Sequence, residues 1–191
     1  YNGPHFSSFG EQSNFEYSQD YFSKAVIHSK PYSILPSKKW SADKWYKNQV
    51  DRNLIANQGF RVINQGTAQG TVIGGNLCTF NLLQGTKYMP RLKDTVLFLE
   101  DDQMGLMHIG LFIRNIASLI QQPDFSGVKG IIFGRFHPDC DIDDERLQKF
   151  IRSSPELSSI PIISGVDFGH TDPRITFPIG GTISMSAPNN V

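Results

Sequence analysis

The sequence has no excess of either charge, few cysteines and no long hydrophobic run. Eighteen lysines and arginines balance eighteen aspartates and glutamates, so no net basic field attracts nucleic acid or an anionic membrane. Cys78 and Cys140 are the only cysteines, too few for a disulfide framework, and the first residues show no secretory pattern. The apolar runs fall short of the ~18 residues of a membrane span. These absences predict a cytoplasmic protein without nucleic-acid or membrane partners.

The length and the segment pattern indicate one mixed α/β domain. A chain of 191 residues can bury a core of its own. In the second half, apolar runs of strand length alternate with segments whose apolar residues recur at helical spacing, which is typical of α/β folds. The predicted strands are 95–102, 128–136 and 160–165, and the predicted helices are 106–122 and 141–154.

The first 53 residues are less regular. Ser13 and Glu16 have the spacing of a capping box, which predicts a helix over about 14–28. A short strand is expected at 31–36, where the segment is bounded by prolines. The polar stretch 37–53 has no clean period and is expected to be a long loop, with or without a short helix. Long structured loops often carry function.

The central segment predicts neighbouring strands and then a helix. Apolar residues at 60–64 and 70–75 indicate two strands that flank a glycine-containing turn. An adjacent strand pair in front of an α/β pattern favours a mixed sheet. The next segment is expected to form a helix from Asn76 to about Gly85.

Titratable residues follow two of the predicted strands. Glu100 and Asp101 come at the end of strand 95–102, and His170 follows strand 160–165. Because functional groups collect at strand ends in α/β sheets, the acid and the imidazole could meet at one edge. Together they would form the orienting half of a nucleophile–histidine–acid triad. The alternatives are an acidic helix cap and a structural histidine, and spacing does not choose between them.

A second histidine suggests a metal site that the pattern does not complete. His137 and Cys140 are of ligand type, but zinc sites need paired sets of such residues, and these two are half of one. A turn ahead of an acidic helix start is the favoured interpretation, so no metal is expected.

Two tryptophans lie in the polar stretch after residue 37. Trp40 and Trp45 flank the sequence Ser-Ala-Asp, where an indole ring could stack on a planar ligand. The alternative is that both rings fold onto the domain surface. Either tryptophan is a candidate substrate contact.

Four stretches, taken in order, resemble the LD-carboxypeptidase and microcin C immunity family of serine peptidases. They are GPHFSSFG, GTAQGTVIGGNLCTFNLLQGTKYMPRLKDTVLFLEDD, GVKGIIFGRF and IPIISGVDFGHTDPRITFPIGG. The aromatic opening and the WSADKW segment are more similar to the microcin-immunity branch than to the murein-recycling branch. The resemblance implies a swivelling β/β/α-type domain with a mixed sheet, a homodimer, and no metal or organic cofactor.

The resemblance also implies roles for individual residues. The family's triad is serine, glutamate and histidine. Its glutamate falls on Glu100 and its histidine on His170. Asn76 matches a position that lines the family's cleft, and capping of the following helix is compatible with that role.

The nucleophilic serine of the family has no counterpart in this sequence. In the family it lies on a Gly-x-Ser-Asp turn of a separate N-terminal domain, which also supplies donors to the oxyanion hole. Residues 1–191 are therefore expected to be a single C-terminal domain whose partner is its own N-terminal domain. The isolated chain is expected to be inactive.

The resemblance leaves two functions open. The first is amide hydrolysis by the complete protein, with a peptidyl or aminoacyl nucleotide of the microcin C type or a murein tetrapeptide as substrate. The second is a non-catalytic ligand-binding or dimerisation domain, because two triad members without a nucleophile should not turn over substrate.

Overall fold

A curled mixed sheet of six strands forms the centre of the protein. The computed structural model describes residues 1–12, 14–28, 30–102 and 109–188. The strands are β1 (Lys39–Trp40), β2 (Ile55–Ala56), β3 (Arg61–Asn64), β4 (Gly66–Asn76), β5 (Thr95–Glu100), β6 (Gly130–Gly134), β7 (Ile162–Val166) and β8 (Thr182–Ala187). β1 and β2 form a small antiparallel pair, and the main sheet has the order β3-β7-β6-β5-β4-β8.

The four central strands run parallel and the two edge strands run antiparallel to their neighbours. β4, β5, β6 and β7 form the parallel part, whereas β3 pairs with β7 and β8 with β4 in the antiparallel sense. The carboxyl ends of the four parallel strands therefore meet at one edge of the sheet. The prediction of a mixed α/β fold is confirmed.

Each face of the sheet has its own hydrophobic core. Alternate residues of β5 point to opposite faces, so Leu97 and Leu99 pack in one core while Val96 and Phe98 pack in the other. The first core contains the larger helices, and the second is covered by the N-terminal segment. The helices are α1 (Glu16–Phe22), α2 (Leu77–Asn81), α3 (Ile109–Ile120), α4 (Asp144–Ser153) and α5 (Pro155–Ser158).

The helix predicted at 14–28 is present with a change of pitch. It begins as α1 and continues as a π-helical segment, Ser23–His28. Ser13, the proposed first residue of the capping box, lies outside the described residues, as does the beginning of the helix predicted at 106–122. The helix predicted from Asn76 is shorter than expected: α2 ends at Asn81, and turns continue to Gly85.

The prediction of a strand at 31–36 is wrong, because no strand forms there. Its backbone groups bond to tyrosine hydroxyls instead of a neighbouring strand. Tyr17 donates to the carbonyl of Leu35 at 2.6 Å, and the Leu35 amide donates to the Tyr21 hydroxyl at 2.7 Å. Tyr21 in turn donates to the carbonyl of Ser33 at 3.0 Å. Because α1 supplies both tyrosines, the extended segment is held by a helix rather than by the sheet.

The two strands predicted before residue 76 are correct as strands but are not neighbours. β3 lies at one edge of the sheet and β4 lies between β5 and β8. β8 was not predicted. No helix within the described ranges combines the length and the apolar character that crossing a bilayer requires.

Candidate active site

The parallel strands end in polar residues at the same edge of the sheet. Asn76 and Glu100 are register partners at the last paired position of β4 and β5. β6 lies next to β5, and β7 next to β6. The segment after β7 carries His170 back towards this edge, and we call residues 167–175 the histidine loop.

Glu100 and His170 form a hydrogen-bonded pair. Nδ1 of His170 lies 2.8 Å from Oε2 of Glu100, although the two residues are 70 positions apart. The Glu100 side chain is 6% exposed and that of His170 is 45% exposed. With Glu100 ionised, Nδ1 carries the donated proton, so the lone pair of the neutral imidazole is on Nε2. The buried acid thus fixes the tautomer of a base that solvent can reach.

The surrounding charges favour the protonated form of this imidazole. The hydrogen bond that His170 donates to Glu100 raises the pKa of His170 above the ordinary value of 6.5, against an opposing effect of burial. Asp102 adds to the increase, since its Oδ2 lies 3.7 Å from Nε2 of His170. The imidazole can therefore accept a proton and be stabilised as the imidazolium that results.

Two glycines make the close approach of acid and base possible. A Cβ on Gly169 would lie 2.9 Å from Oε2 of Glu100, and the φ angle of Gly169 is +105°. On the neighbouring strand, a Cβ on Gly134 would lie 2.9 Å from the Cβ of Glu100. A side chain at Gly169 would displace the carboxylate, and one at Gly134 would collide with the carbonyl oxygen of Phe168, 2.5 Å away, and with Glu100, so the geometry of the pair requires both glycines.

Asn76 has the helix-capping role that was the compatible alternative. Its side-chain oxygen accepts a hydrogen bond from the amide of Thr79 at 3.0 Å. Its side-chain nitrogen is 3.5 Å from Oδ1 of Asp101. The amide group is held at the edge, one strand away from Glu100.

Asp101 is buried beside the pair. It is 1% exposed, and burial raises its pKa to about 6. Its Oδ2 atom has no hydrogen-bond partner among the described residues, whereas Oδ1 accepts from the amide of Asp102 at 3.1 Å. Consecutive side chains along a strand point to opposite faces, so Glu100 faces His170 and Asp101 does not.

The tryptophan loop, defined as residues 37–57, is fixed to the same edge of the sheet. The guanidinium carbon of Arg135 lies 4.8 Å from the centroid of the Trp40 ring. The same guanidinium donates to Asp167 at 2.9 Å, and Asp167 also accepts from the amide of Ser37 at 2.8 Å. Trp40 is thus held against a cation, whereas Trp45 packs edge-on against its neighbour Tyr46 at 6.0 Å.

No sequence pattern indicated a role for Arg135 or Asp167. Asp167 is fully buried and stands three residues before His170, so its position near the histidine was visible in the sequence. The partners of Asp167 were not visible in the sequence, because Arg135 follows β6 and Ser37 lies at the start of the tryptophan loop. Only the strand order brings the three together.

His137 and Cys140 have structural roles. Nε2 of His137 contacts the carbonyl of Ala42 at 3.2 Å, and Nδ1 accepts from the amide of Asp139 at 3.2 Å. Cys140 is buried, and burial raises the pKa of its thiol to about 11. Within the described ranges, no group of three or more histidine, cysteine, aspartate or glutamate side chains is arranged so that it could hold a metal ion. The histidine instead joins the tryptophan loop to the segment after β6.

An imidazole whose Nδ1 is held by a buried carboxylate is the arrangement of base and orienting acid in hydrolases with nucleophilic catalysis. The profile of the LD-carboxypeptidase C-terminal domain matches residues 69–185. The chain therefore belongs to the LD-carboxypeptidase family and covers its C-terminal domain, as the sequence predicted.

Curated relatives include proteins named as carboxypeptidases and as an immunity protein. YocD of Bacillus subtilis strain 168, named as a carboxypeptidase, is 45% identical over 98% of this chain and 57% of its own length. The microcin C7 self-immunity protein MccF of Escherichia coli is 28% identical over 83% of this chain and 46% of its own length. The chain thus spans about half the length of these relatives.

Solved structures have the same fold. The MccF-like protein from Bacillus anthracis strain Ames superposes with a TM-score of 0.96 at 46% identity, covering 99% of this chain and 58% of that one. MccF in complex with glutamyl sulfamoyl guanosine superposes with a TM-score of 0.77 at 28% identity, and the match covers 96% of this chain and 57% of the MccF chain.

Proposed function

We propose that this chain is the C-terminal half of a serine peptidase or amidase, with His170 as general base and Glu100 as its orienting acid. The observation that carries the proposal is the 2.8 Å contact between Nδ1 of His170 and the buried Glu100 carboxylate. It leaves Nε2 directed away from the acid, where a nucleophile can approach.

The nucleophile of the proposed reaction is a serine of an upstream domain. An MccF active-site mutant, 28% identical to this chain, has a serine, an asparagine and a lysine replaced by alanine. That supports a serine in the active site of the relatives. It also supports a substrate-facing role for an asparagine, which we assign to Asn76 because its amide lies at the edge beside Glu100.

The chemistry follows from the tautomer of His170. Nε2 removes the proton of the serine hydroxyl as the serine oxygen attacks the amide carbonyl carbon. The imidazolium, stabilised by Glu100, then gives this proton to the nitrogen of the leaving amine as the carbon–nitrogen bond breaks. Water attacks the acyl-enzyme, its proton passes to Nε2 and on to the serine oxygen, and the acid is released. No metal or organic cofactor takes part.

The preferred substrate is an aminoacyl or peptidyl nucleotide. MccF structures contain glutamyl sulfamoyl guanosine and aspartyl sulfamoyl adenosine. In this chain the Trp40 ring, fixed by Arg135, offers a stacking surface for a base on the side of the sheet that carries His170. The second candidate is a murein tetrapeptide, because one relative is named as a murein peptide carboxypeptidase of Bacillus subtilis, at 26% identity.

The test compares the complete protein with the 191-residue chain. We expect the complete protein to hydrolyse an aminoacyl nucleotide carboxamide faster than a murein tetrapeptide, and the chain alone to hydrolyse neither. His170→Ala and Glu100→Gln in the complete protein should lose activity, while an exposed substitution such as Lys129→Met should not. Hydrolysis by the chain alone would show that the nucleophile is not upstream.

The isolated chain is proposed to retain ligand binding and self-association. Titration with adenosine monophosphate tests ligand binding. Size-exclusion chromatography with light scattering tests self-association. A homodimer is expected at micromolar concentration. A monomer with no nucleotide affinity would leave the isolated domain without either function.

A further inference from the structure

A buried ion cluster connects the tryptophan loop to the histidine loop. Arg52, whose side chain is 2% exposed, lies at its centre. One terminal nitrogen of Arg52 contacts the Glu11 carboxylate, and the other lies 3.3 Å from Oδ2 of Asp172. The second oxygen of Asp172 is 2.9 Å from Nη2 of Arg174. Two acids and two arginines thus balance in charge, with Arg52 and Glu11 the most buried of the four and Arg174 22% exposed.

The main chain of Asp172 makes a second connection between the same loops. The amide of Ser41 donates to the carbonyl of Asp172 at 2.8 Å, and the amide of Asp172 donates to the carbonyl of Ser41 at 2.9 Å. Ser41 directly follows Trp40, and Asp172 is two residues after His170. The residue that Arg52 contacts is therefore paired with the neighbour of Trp40 and lies two positions from His170.

The cluster defines a geometry rather than adding stability. Moving two charges out of water offsets much of the attraction between them, so an apolar group of similar size would stabilise the fold as well. A guanidinium between two carboxylates, however, restricts the orientation of the segments that carry them, because its planar group accepts each carboxylate only at a defined angle. Hence the cluster is better explained by positioning than by stability.

We propose that Arg52 is a positioning residue that sets the tryptophan loop against the histidine loop, so that Trp40 and His170 keep one relative geometry. This inference rests on the proposed function for its consequence, which is that binding and catalysis are coupled through Arg52. Asp172 is the partner that transmits the effect. Glu11 connects Arg52 to the N-terminal segment and does not transmit the effect to the histidine loop.

The two acids provide matched variants. Asp172→Asn and Glu11→Gln each replace one carboxylate contact of Arg52 with an isosteric amide. Arg52→Lys keeps the charge but cannot span both acids. Because all three variants disturb one buried cluster, a purely structural role predicts similar effects for all of them. A positioning role predicts effects for Arg52→Lys and Asp172→Asn alone.

The first experiment uses NMR of the 191-residue chain. The indole N–H signals of the two tryptophans report on the tryptophan loop, and the imidazole nitrogens of His170 report on the base. We expect Arg52→Lys and Asp172→Asn to move the Trp40 and His170 signals together while Glu11→Gln leaves both in place. Equal changes in Glu11→Gln, or no change in any variant, would overturn the proposal.

The second experiment measures kinetics in the complete protein. Arg52→Lys and Asp172→Asn should lower kcat and raise KM, with kcat/KM reduced about tenfold or more, and Glu11→Gln should stay within about twofold. If the unsubstituted protein does not hydrolyse the substrate, the proposed function fails, and the NMR result alone decides on Arg52. If it does hydrolyse the substrate and the three variants behave alike, Arg52 has no positioning role and the hydrolase assignment stands.

Discussion

Gly169 lies against the carboxylate of Glu100, so that a Cβ on Gly169 would be 2.9 Å from Oε2. The residue is one position before His170 and adopts a φ of +105°. Glu100 can therefore reach the imidazole only because this neighbour has no side chain.

Gly169→Ala is expected to separate Glu100 from His170. The added methyl group pushes the carboxylate away, so kcat of the complete protein should fall about tenfold or more, and the pKa of His170 should fall towards its ordinary value. Gly180→Ala is the matched control, because Gly180 also has a positive φ, +84°, but nothing lies within 4 Å of its Cβ position. Both variants carry backbone strain of about 1–2 kcal/mol, and only the first should lose activity. Similar kinetics in the two variants would contradict this explanation.

The pH dependence of activity should follow the His170–Glu100 pair. A general base must be neutral, and Glu100 raises the pKa of His170 above 6.5, so the acidic limb of kcat/KM should lie above pH 6.5. Glu100→Gln should move that limb to lower pH and reduce kcat by about 10²–10⁴. A limb that stays in place in Glu100→Gln would show that another group controls it.

The same pair has a defined effect on stability. Because the folded pKa of His170 is above its unfolded value, the pair stabilises the fold below pH 6.5 and loses this contribution as the pH rises through the folded pKa. The Tm deficit of Glu100→Gln should therefore be larger at pH 5.5 than at pH 9. Thermal unfolding at the two values checks the sign, and an equal deficit would contradict it.

Asp101→Asn should increase stability at neutral pH. Burial raises the pKa of Asp101 from 3.8 to about 6, so the folded state holds this proton more tightly, and stability falls as the pH rises from about 4 to about 6. The neutral amide of Asn at position 101 removes this penalty, so the free energy of unfolding should rise by on the order of 1–3 kcal/mol at pH 8 and change little at pH 4. Asp94→Asn, in an exposed ion pair with Lys129, should change Tm little at either pH. A lower Tm for Asp101→Asn at pH 8 would contradict the prediction.

Trp40 should matter more for nucleotide binding than Trp45. Trp40 is fixed by Arg135, whereas the ring contact of Trp45 is with its neighbour Tyr46. We expect Trp40→Ala to weaken the affinity for adenosine monophosphate about tenfold and Trp45→Ala to weaken it less. Since these are the two tryptophans of the chain, quenching of tryptophan fluorescence measures both. A larger effect of Trp45→Ala would reverse the assignment.

The sequence predicted the elements whose burial determines them locally. β5 and β6 are buried throughout and consist mostly of apolar residues, and such runs form strands because both faces of a parallel sheet are covered. β8 was missed although residues 182–187 alternate between polar and apolar side chains, the pattern of a half-buried edge strand. The signal for this strand was present in the sequence.

Other elements depend on partners that no local pattern names. The 31–36 segment has the composition of a strand, yet its backbone is satisfied by Tyr17 and Tyr21 from α1. The role of Arg135 likewise depends on Asp167 and Trp40, which come from different parts of the chain. Propensity describes a segment, whereas hydrogen-bond satisfaction depends on what packs against it.

The sequence by itself determined the fold class and the family, and the family resemblance predicted Glu100 and His170 as acid and base. Strand ends alone left a helix cap and a structural histidine open as alternatives for these two residues. Only the tertiary structure decided that they meet, since the order β7-β6-β5 and the absence of side chains at Gly134 and Gly169 bring the imidazole to the carboxylate. A contact between residues 70 positions apart depends on how the strands pair, and strand pairing is a property of the whole sheet.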